Sequence, residues 1–175
     1  MNAEVFISYS SQDYERVIPI VNRLRAVGVG VWVDEGNIDA ATLWSESIVE
    51  AIGECSVFVV MVSSYSVASH NVVKEVMIAS EGKKTILPVY LEPTKIPAKL
   101  KYQLTGIQYL EWFEGGNDAV FETLKDVLAK NEVTTADGIS ISNNNLKNEE
   151  RNSQVQLKKR KFSFNHKKLY IALAL

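Results

Sequence analysis

The stretch "SVFVVMVSSYSVASHNVVKEVMIASEGKKTILPVYL", Ser56–Leu91, decides the fold class. Its opening run, "SVFVVMV" (Ser56–Val62), is continuously apolar and rich in β-branched side chains. Such a strand has both faces covered, because a half-exposed one would alternate apolar with polar residues. The polar loop "SSYSVAS" (Ser63–Ser69) follows, then a helix that carries Glu75 and stops near Gly82. "TILPVYL" (Thr85–Leu91) restores the strand pattern. Its Pro88 cannot donate to a ladder, which places this strand near the sheet edge or at a bulge.

The same alternation runs outward in both directions. Towards the N-terminus, "EVFISY" (Glu4–Tyr9) reads as a largely buried strand. A helix follows, with Val17, Ile20, Val21, Leu24 and Val27 at helical spacing. Ser10-x-x-Asp13 supplies a capping box for it, and Pro19 should bend it or remove one backbone bond. Gly28 and Gly30 mark the stop before a second strand, "GVWVD" (Gly30–Asp34). After the polar loop "EGNIDAAT" (Glu35–Thr42), Thr42 caps a helix that turns Ile48, Val49 and Ile52 to the core. Towards the C-terminus, a loop with Pro93 and Pro97 leads to a weak fifth strand, "IQYLEW" (Ile107–Trp112). A last helix covers about Asp118 to Lys130.

Strands separated by helices of modest length predict a doubly wound, flavodoxin-like α/β fold. Its sheet is mostly parallel, of about five strands, with helices on both faces. Ligands in such sheets bind at the carboxyl ends of the strands, near the point where strand order reverses. That gathers Tyr9–Ser11, Asp34–Thr42 and Ser63–Asn71 around one crevice.

Composition bounds the chemistry. The 175 residues are 46% hydrophobic and 23% charged, as expected of one globular domain able to bury its own core. Cys55 is the only cysteine, which excludes an internal disulfide and a cysteine-based zinc site. His70 and His166 lie too far apart in sequence to suggest a histidine-rich metal site. No metal site is therefore expected. The chain enters its first strand without a signal-peptide pattern, so a reducing cytoplasm is the expected compartment.

The net charge of −2 conceals two halves of opposite sign. Residues 147–168 hold eight Lys/Arg and two acids, whereas the rest of the chain holds 11 Lys/Arg and 19 Asp/Glu. An acidic body with a basic appendage does not describe a nucleic-acid binder. Residues 132–157 lack apolar periodicity and are expected to be a disordered polar linker. Residues 158–175 form a basic segment leading into a short apolar stretch, Leu169–Leu175. A bilayer span needs roughly 20 apolar residues. Two readings stay open: a truncated transmembrane segment, which would tether the domain to the cytoplasmic face of a membrane, or a basic tail with no specific role.

Several enzyme classes fall away. No GxxxxGK[ST] and no GxGxxG follows the first strand, so a P-loop enzyme and a Rossmann dehydrogenase are not supported. The strand ends "ISYSS" and "MVSS" lack the carboxylates that a receiver domain needs. No serine sits in G-x-S-x-G, His70 reads as a surface residue at a helix N-terminus, and Cys55 reads as buried packing. The crevice keeps few ionisable groups: Asp34, Glu35, Asp39 and Glu75. A carboxylate in a partly desolvated pocket can hold sugar hydroxyls and stabilise a developing oxocarbenium ion. A glutamate on a helix is, however, more often solvated, and spacing alone does not separate these readings for Glu75.

Taken in order, the segments resemble a Toll/interleukin-1 receptor (TIR) domain of the bacterial kind. The matching stretches are "VFISYSSQD" (Val5–Asp13), "GVGVWVDEGNI" (Gly28–Ile38), "LWSESIVEAIGECSVFVVMVSSYSVAS" (Leu43–Ser69), "NVVKEV" (Asn71–Val76) and "KKTILPVYL" (Lys83–Leu91). The resemblance assigns residues 3–131 to the TIR domain. It implies a signalling or defence role and, in members that cleave NAD+, a catalytic glutamate on the helix after the third strand. The matching position is Glu75. The resemblance also implies substrate contacts from Tyr9, Ser10 and Ser11, from Asp39 in the loop at the cleft mouth, and from Asn71. Trp44 either packs on a bound base or fills the core. The chain departs from the usual pattern at Asn71, where many active members carry Trp, and at Ala41, where a Gly is common.

Two functions follow from the resemblance. The first is an NAD+ glycohydrolase, active when TIR domains cluster, with NAD+ as substrate and no cofactor. The second is a non-enzymatic module that recruits other TIR domains through homotypic, head-to-tail contacts.

Overall fold

A computed structural model describes residues 4–33, 41–113, 117–135 and 141; the side chains of 41–45 and 117 lie outside this description. The elements run β1 (Val5–Ser8), a 3-10 turn (Ser11–Asp13), α1 (Tyr14–Ala26), β2 (Val31–Val33), α2 (Ala41–Glu54) and β3 (Val57–Val62). There follow α3 (His70–Glu81), β4 (Thr85–Tyr90), α4 (Ala98–Leu104), β5 (Leu110–Glu111) and α5 (Asn117–Lys130). The strands form one sheet in the order β2-β1-β3-β4-β5, and every pairing is parallel. This is the doubly wound, flavodoxin-like arrangement, with strand order reversing between β1 and β3.

Alternation along the strands builds a separate core on each face of the sheet. Val5 and Ile7 of β1, Val57, Val59 and Met61 of β3, and Leu87 and Val89 of β4 pack with α1 and α5. Phe6, Phe58, Val60, Val62 and Ile86 point the other way and pack with α2, α3 and α4. The register sets Phe6 opposite Trp32 on one side and Phe58 on the other, with ring centroids 4.5 and 5.2 Å away. All six residues of β3 are buried, as its unbroken apolar run requires.

Helix ends follow the same local logic. At the end of α1 the Val29 N–H reaches the Leu24 carbonyl and the Gly28 N–H reaches Arg25, with Gly28 at φ 86°. That is a Schellman cap, whose left-handed residue favours glycine. α3 and α5 close in the same way, but there the left-handed residues are Lys83 (φ 53°) and Glu132 (φ 61°). Gly82, the residue expected to stop α3, sits one position earlier with ordinary dihedrals.

Several local expectations are corrected. Ser10 caps the 3-10 turn by accepting from the Gln12 N–H, and the Asp13 carboxylate turns away to other partners, so no capping box forms. α1 runs through Pro19 as one helix, lacking only the backbone bond that Pro19 is expected to remove. Thr42 falls inside α2 instead of capping it, and Val49 is 49% exposed while Ile48 and Ile52 are buried. β4 lies between β3 and β5 in one-to-one register with β3, so Pro88 marks neither an edge strand nor a bulge. It is tolerated where β5 does not reach: that ladder involves only Val89 and Tyr90. The stretch expected to be a loop after Pro97 contains α4, anchored by buried Leu100 and Leu104 one helical turn apart.

Packing reaches past residue 131. Val133 is fully buried and Ile141 nearly so, and Thr135 forms an antiparallel bridge with Val29. The Glu4 carboxylate accepts from both the backbone N–H and the hydroxyl of Thr134. The remainder of the expected linker, 136–140 and 142–157, and the basic and apolar stretch 158–175 lie outside the described residues. Among the described residues no helix is long and apolar enough to cross a membrane.

Candidate functional site

Glu75 occupies a position that an apolar residue would ordinarily hold. In α3 the buried residues are Val72, Val73, Glu75, Val76 and Ala79, the stripe that packs against the sheet. Glu75 lies within that stripe, three residues after Val72 and four before Ala79, and is 7% exposed. The Ser69 hydroxyl caps α3 by accepting from the Val72 N–H, which fixes where the helix begins and so the angle at which Glu75 faces inward.

What meets Glu75 is the last residue of β1. The Ser8 hydroxyl, 2% exposed, donates to Glu75 Oε2 at 2.5 Å across 67 positions of sequence. Ser8 shares a face with Phe6 by strand alternation, the face that α3 covers, and its register partner is Val60 of β3. The pair therefore sits at the carboxyl end of β1, on the β1/β3 boundary where strand order reverses. Burying a carboxylate is costly unless it is hydrogen-bonded, so the Ser8 contact is part of what makes this placement tolerable.

A second polar cluster lies at the carboxyl ends of β3 and β4. The fully buried Asp13 accepts from the Ser63 hydroxyl at 2.5 Å and from Arg16 Nη1 at 3.1 Å. The same Arg16 nitrogen reaches Glu92 at 3.0 Å, and Nη2 donates to the Leu91 carbonyl. Glu92 also accepts from the Ser64 N–H at 2.8 Å. That backbone donor comes first, with Arg16 assisting, in holding the Glu92 carboxyl below its ordinary value. Ser63 Oγ accepts from the Ser66 N–H, and Ser66 Oγ accepts from the Ser63 N–H, so the loop after β3 is folded on itself. Together these bonds tie the start of α1, the loop leading to α3 and the end of β4.

The remaining expected site residues are distributed unevenly. Ser10 is 7% exposed and engaged as the cap of the 3-10 turn, while Ser11 is exposed on it. Tyr9 packs against the core on the α1/α5 side, the face opposite α3. Asn71 is exposed on the first turn of α3, one turn before Glu75. Trp44 lies on the first turn of α2 with its side chain outside the description, and Asp39 lies outside the described residues altogether. The structure brings Glu75 together with Ser8, which had not been singled out. Its signal was available: a hydroxyl at the inward position of the otherwise apolar Val5–Ser8 strand.

Cys55 and His70 match their expected places. Cys55 is buried, its thiol donates to the Ile52 carbonyl, and burial pushes the thiol above its ordinary value. His70 is the exposed first residue of α3.

With this geometry in view, a TIR domain family model matches residues 5–127. The chain belongs to the TIR domain family. Among solved structures, this TIR domain is similar to that of the Toll-related receptor TRR-2 from Hydra magnipapillata, with TM-score 0.60 and 24% identity over 71% of this chain and 98% of the other. It is similar to the TIR domains of the activated Roq1 resistosome, with TM-score 0.55 and 19% identity over 70% and 98%. It is also similar to a CMP N-glycosidase, BcmB, from Clostridium botulinum, with TM-score 0.52 and 18% identity over 70% and 98%. At these identities the likeness establishes the shared fold. No curated protein matches the chain.

Proposed function

We propose that this TIR domain cleaves the nicotinamide–ribose bond of NAD+ when several copies cluster, with Glu75 as the catalytic carboxylate. The observation that carries the reading is the burial of Glu75 within the apolar stripe of α3, at the strand-order reversal of the sheet. A buried carboxylate contributes little to helix packing that a Val would not contribute better. Its retention at the place where this fold binds ligands points to chemistry. The fold also occurs in a CMP N-glycosidase, a protein named for cleaving an N-glycosidic bond of a nucleotide. The bond between nicotinamide and ribose belongs to the same chemical class.

In this reading the carboxylate hydrogen-bonds the ribose hydroxyls and its negative charge stabilises the oxocarbenium character that develops at the anomeric carbon. Nicotinamide leaves with the electron pair of the C–N bond. Water adds to the anomeric carbon and loses a proton, giving ADP-ribose, nicotinamide and H+. Clustering contributes by bringing a neighbour's surface over the cleft, which excludes bulk water and strengthens each electrostatic contact inside. Nicotinamide release by the full chain at high surface density, compared with Glu75→Ala, tests the proposal. A folded, clustered protein that releases none would assign the same surfaces to recruitment of other TIR domains.

A further inference from the structure

We propose that Ser8 is a positioning residue for Glu75: its hydroxyl holds one carboxylate oxygen and so fixes the plane and reach of the catalytic group. The inference rests on the glycohydrolase reading above and names a second side chain that the reaction depends on.

The argument begins with what β1 requires. Val5, Phe6, Ile7 and Ser8 are all buried, and the first three are apolar. An Ala or Val at position 8 would satisfy the strand and the core, since its register partner is Val60 and its face is lined by Phe6, Phe58 and Val62. A hydroxyl at that place has to find a partner, because burying one unpaired is unfavourable. Its partner is the Glu75 carboxylate, at 2.5 Å. The two residues stabilise each other's burial, although they come from different elements 67 positions apart.

The consequence for chemistry is orientation. A glutamate side chain has three rotatable bonds, and a carboxylate that must meet two ribose hydroxyls works only in a narrow range of angles. α3 holds the Cα of Glu75, capped by Ser69 and packed through Val72, Val76 and Ala79. Ser8 bonds the carboxylate itself, from a strand that is paired on both sides, to β2 and to β3. A supporting hydrogen bond from a rigid strand is the kind of contact that keeps a catalytic group in its productive geometry. Ser8 is not assigned contact with NAD+; it acts through Glu75.

The test uses the full chain clustered on vesicles or beads, with nicotinamide release read for wild type, Ser8→Ala and Ser8→Thr. Ser8→Ala should lower kcat about 10- to 100-fold, the loss of one charge-assisted hydrogen bond, with KM within about twofold. Ser8→Thr keeps the hydroxyl and should restore most of kcat. Ser8→Cys, close in size and only a weak donor, stands in if Ser8→Ala does not fold and should show the same loss. Wild-type kcat in folded Ser8→Ala, or equal losses in Ala and Thr variants, would overturn the inference while leaving the glycohydrolase reading intact. Absence of nicotinamide release from folded, clustered wild type would instead overturn that reading, and the inference with it.

Discussion

Asp13 Oδ2 and Ser63 Oγ lie 2.5 Å apart, which joins the turn before α1 to the loop after β3 across 50 residues of sequence. Asp13 stands at the N-cap position of α1 without making a side-chain cap bond, so its fully buried carboxylate serves this cross-link and Arg16 instead. Removing it takes away the acceptor of the Ser63 hydroxyl and the Asp13 contact of Arg16, which keeps Glu92 and the Leu91 carbonyl. Asp13→Ala should lower stability by about 2–4 kcal/mol, discounted from a fully buried pair because Arg16 is 38% exposed. The midpoint of urea unfolding checks this. A shift corresponding to less than about 1 kcal/mol would show that the cross-link contributes little beyond an ordinary surface pair.

The neighbouring carboxylate predicts a pH dependence. Glu92 has its folded value depressed, first by the Ser64 backbone N–H. A depressed carboxyl contributes stability that is present above the unfolded value, about 4.5, and is lost as pH falls through the lower folded value. Unfolding free energy should therefore fall on acidification below about pH 5, and Glu92→Gln should flatten that fall. Parallel curves for the two proteins would remove Glu92 from the account of acid sensitivity.

The helix ends offer a gain instead of a loss. Lys83 and Glu132 adopt left-handed dihedrals in Schellman caps, a conformation that costs an L-residue more than glycine. Lys83→Gly and Glu132→Gly should each raise stability by about 0.5–1 kcal/mol, and Gly28→Ala at the equivalent place on α1 should lower it by a similar amount. Thermal unfolding of the three variants checks the sign. A destabilised Lys83→Gly would mean that the side chain makes a contribution larger than the dihedral relief.

The strands and the order of helices were legible because both faces of this sheet are covered. Continuous apolar runs such as Ser56–Val62 have few other interpretations, and periodicity of α1 and α3 is plain. What sequence pattern missed was decided by tertiary context. α4 is only seven residues long and carries little periodic signal. Pro88 argued for an edge, but the brevity of β5 let an interior strand accept it. Val49 was apolar at a helical position and still faces outward.

The candidate site divides along the same line. Glu75 could be named from its place in the fold, but nothing local said whether it faced solvent or sheet. That depends on how α3 rotates over β1 and β3, which the apolar partners Val72, Val76 and Ala79 decide. Ser8 was hidden because its role exists only opposite Glu75. Tyr9, one residue further along, turns to the other face of the sheet by simple alternation.

The central claim is that the buried carboxylate of Glu75 breaks a glycosidic bond. Its direct test is NAD+ turnover by the purified full chain at high surface density, followed as nicotinamide release, beside Glu75→Ala and Glu75→Gln. The account predicts release from wild type and a loss of at least about 100-fold in both variants. Equal release from wild type and the variants, or none from a folded and clustered wild type, would contradict it.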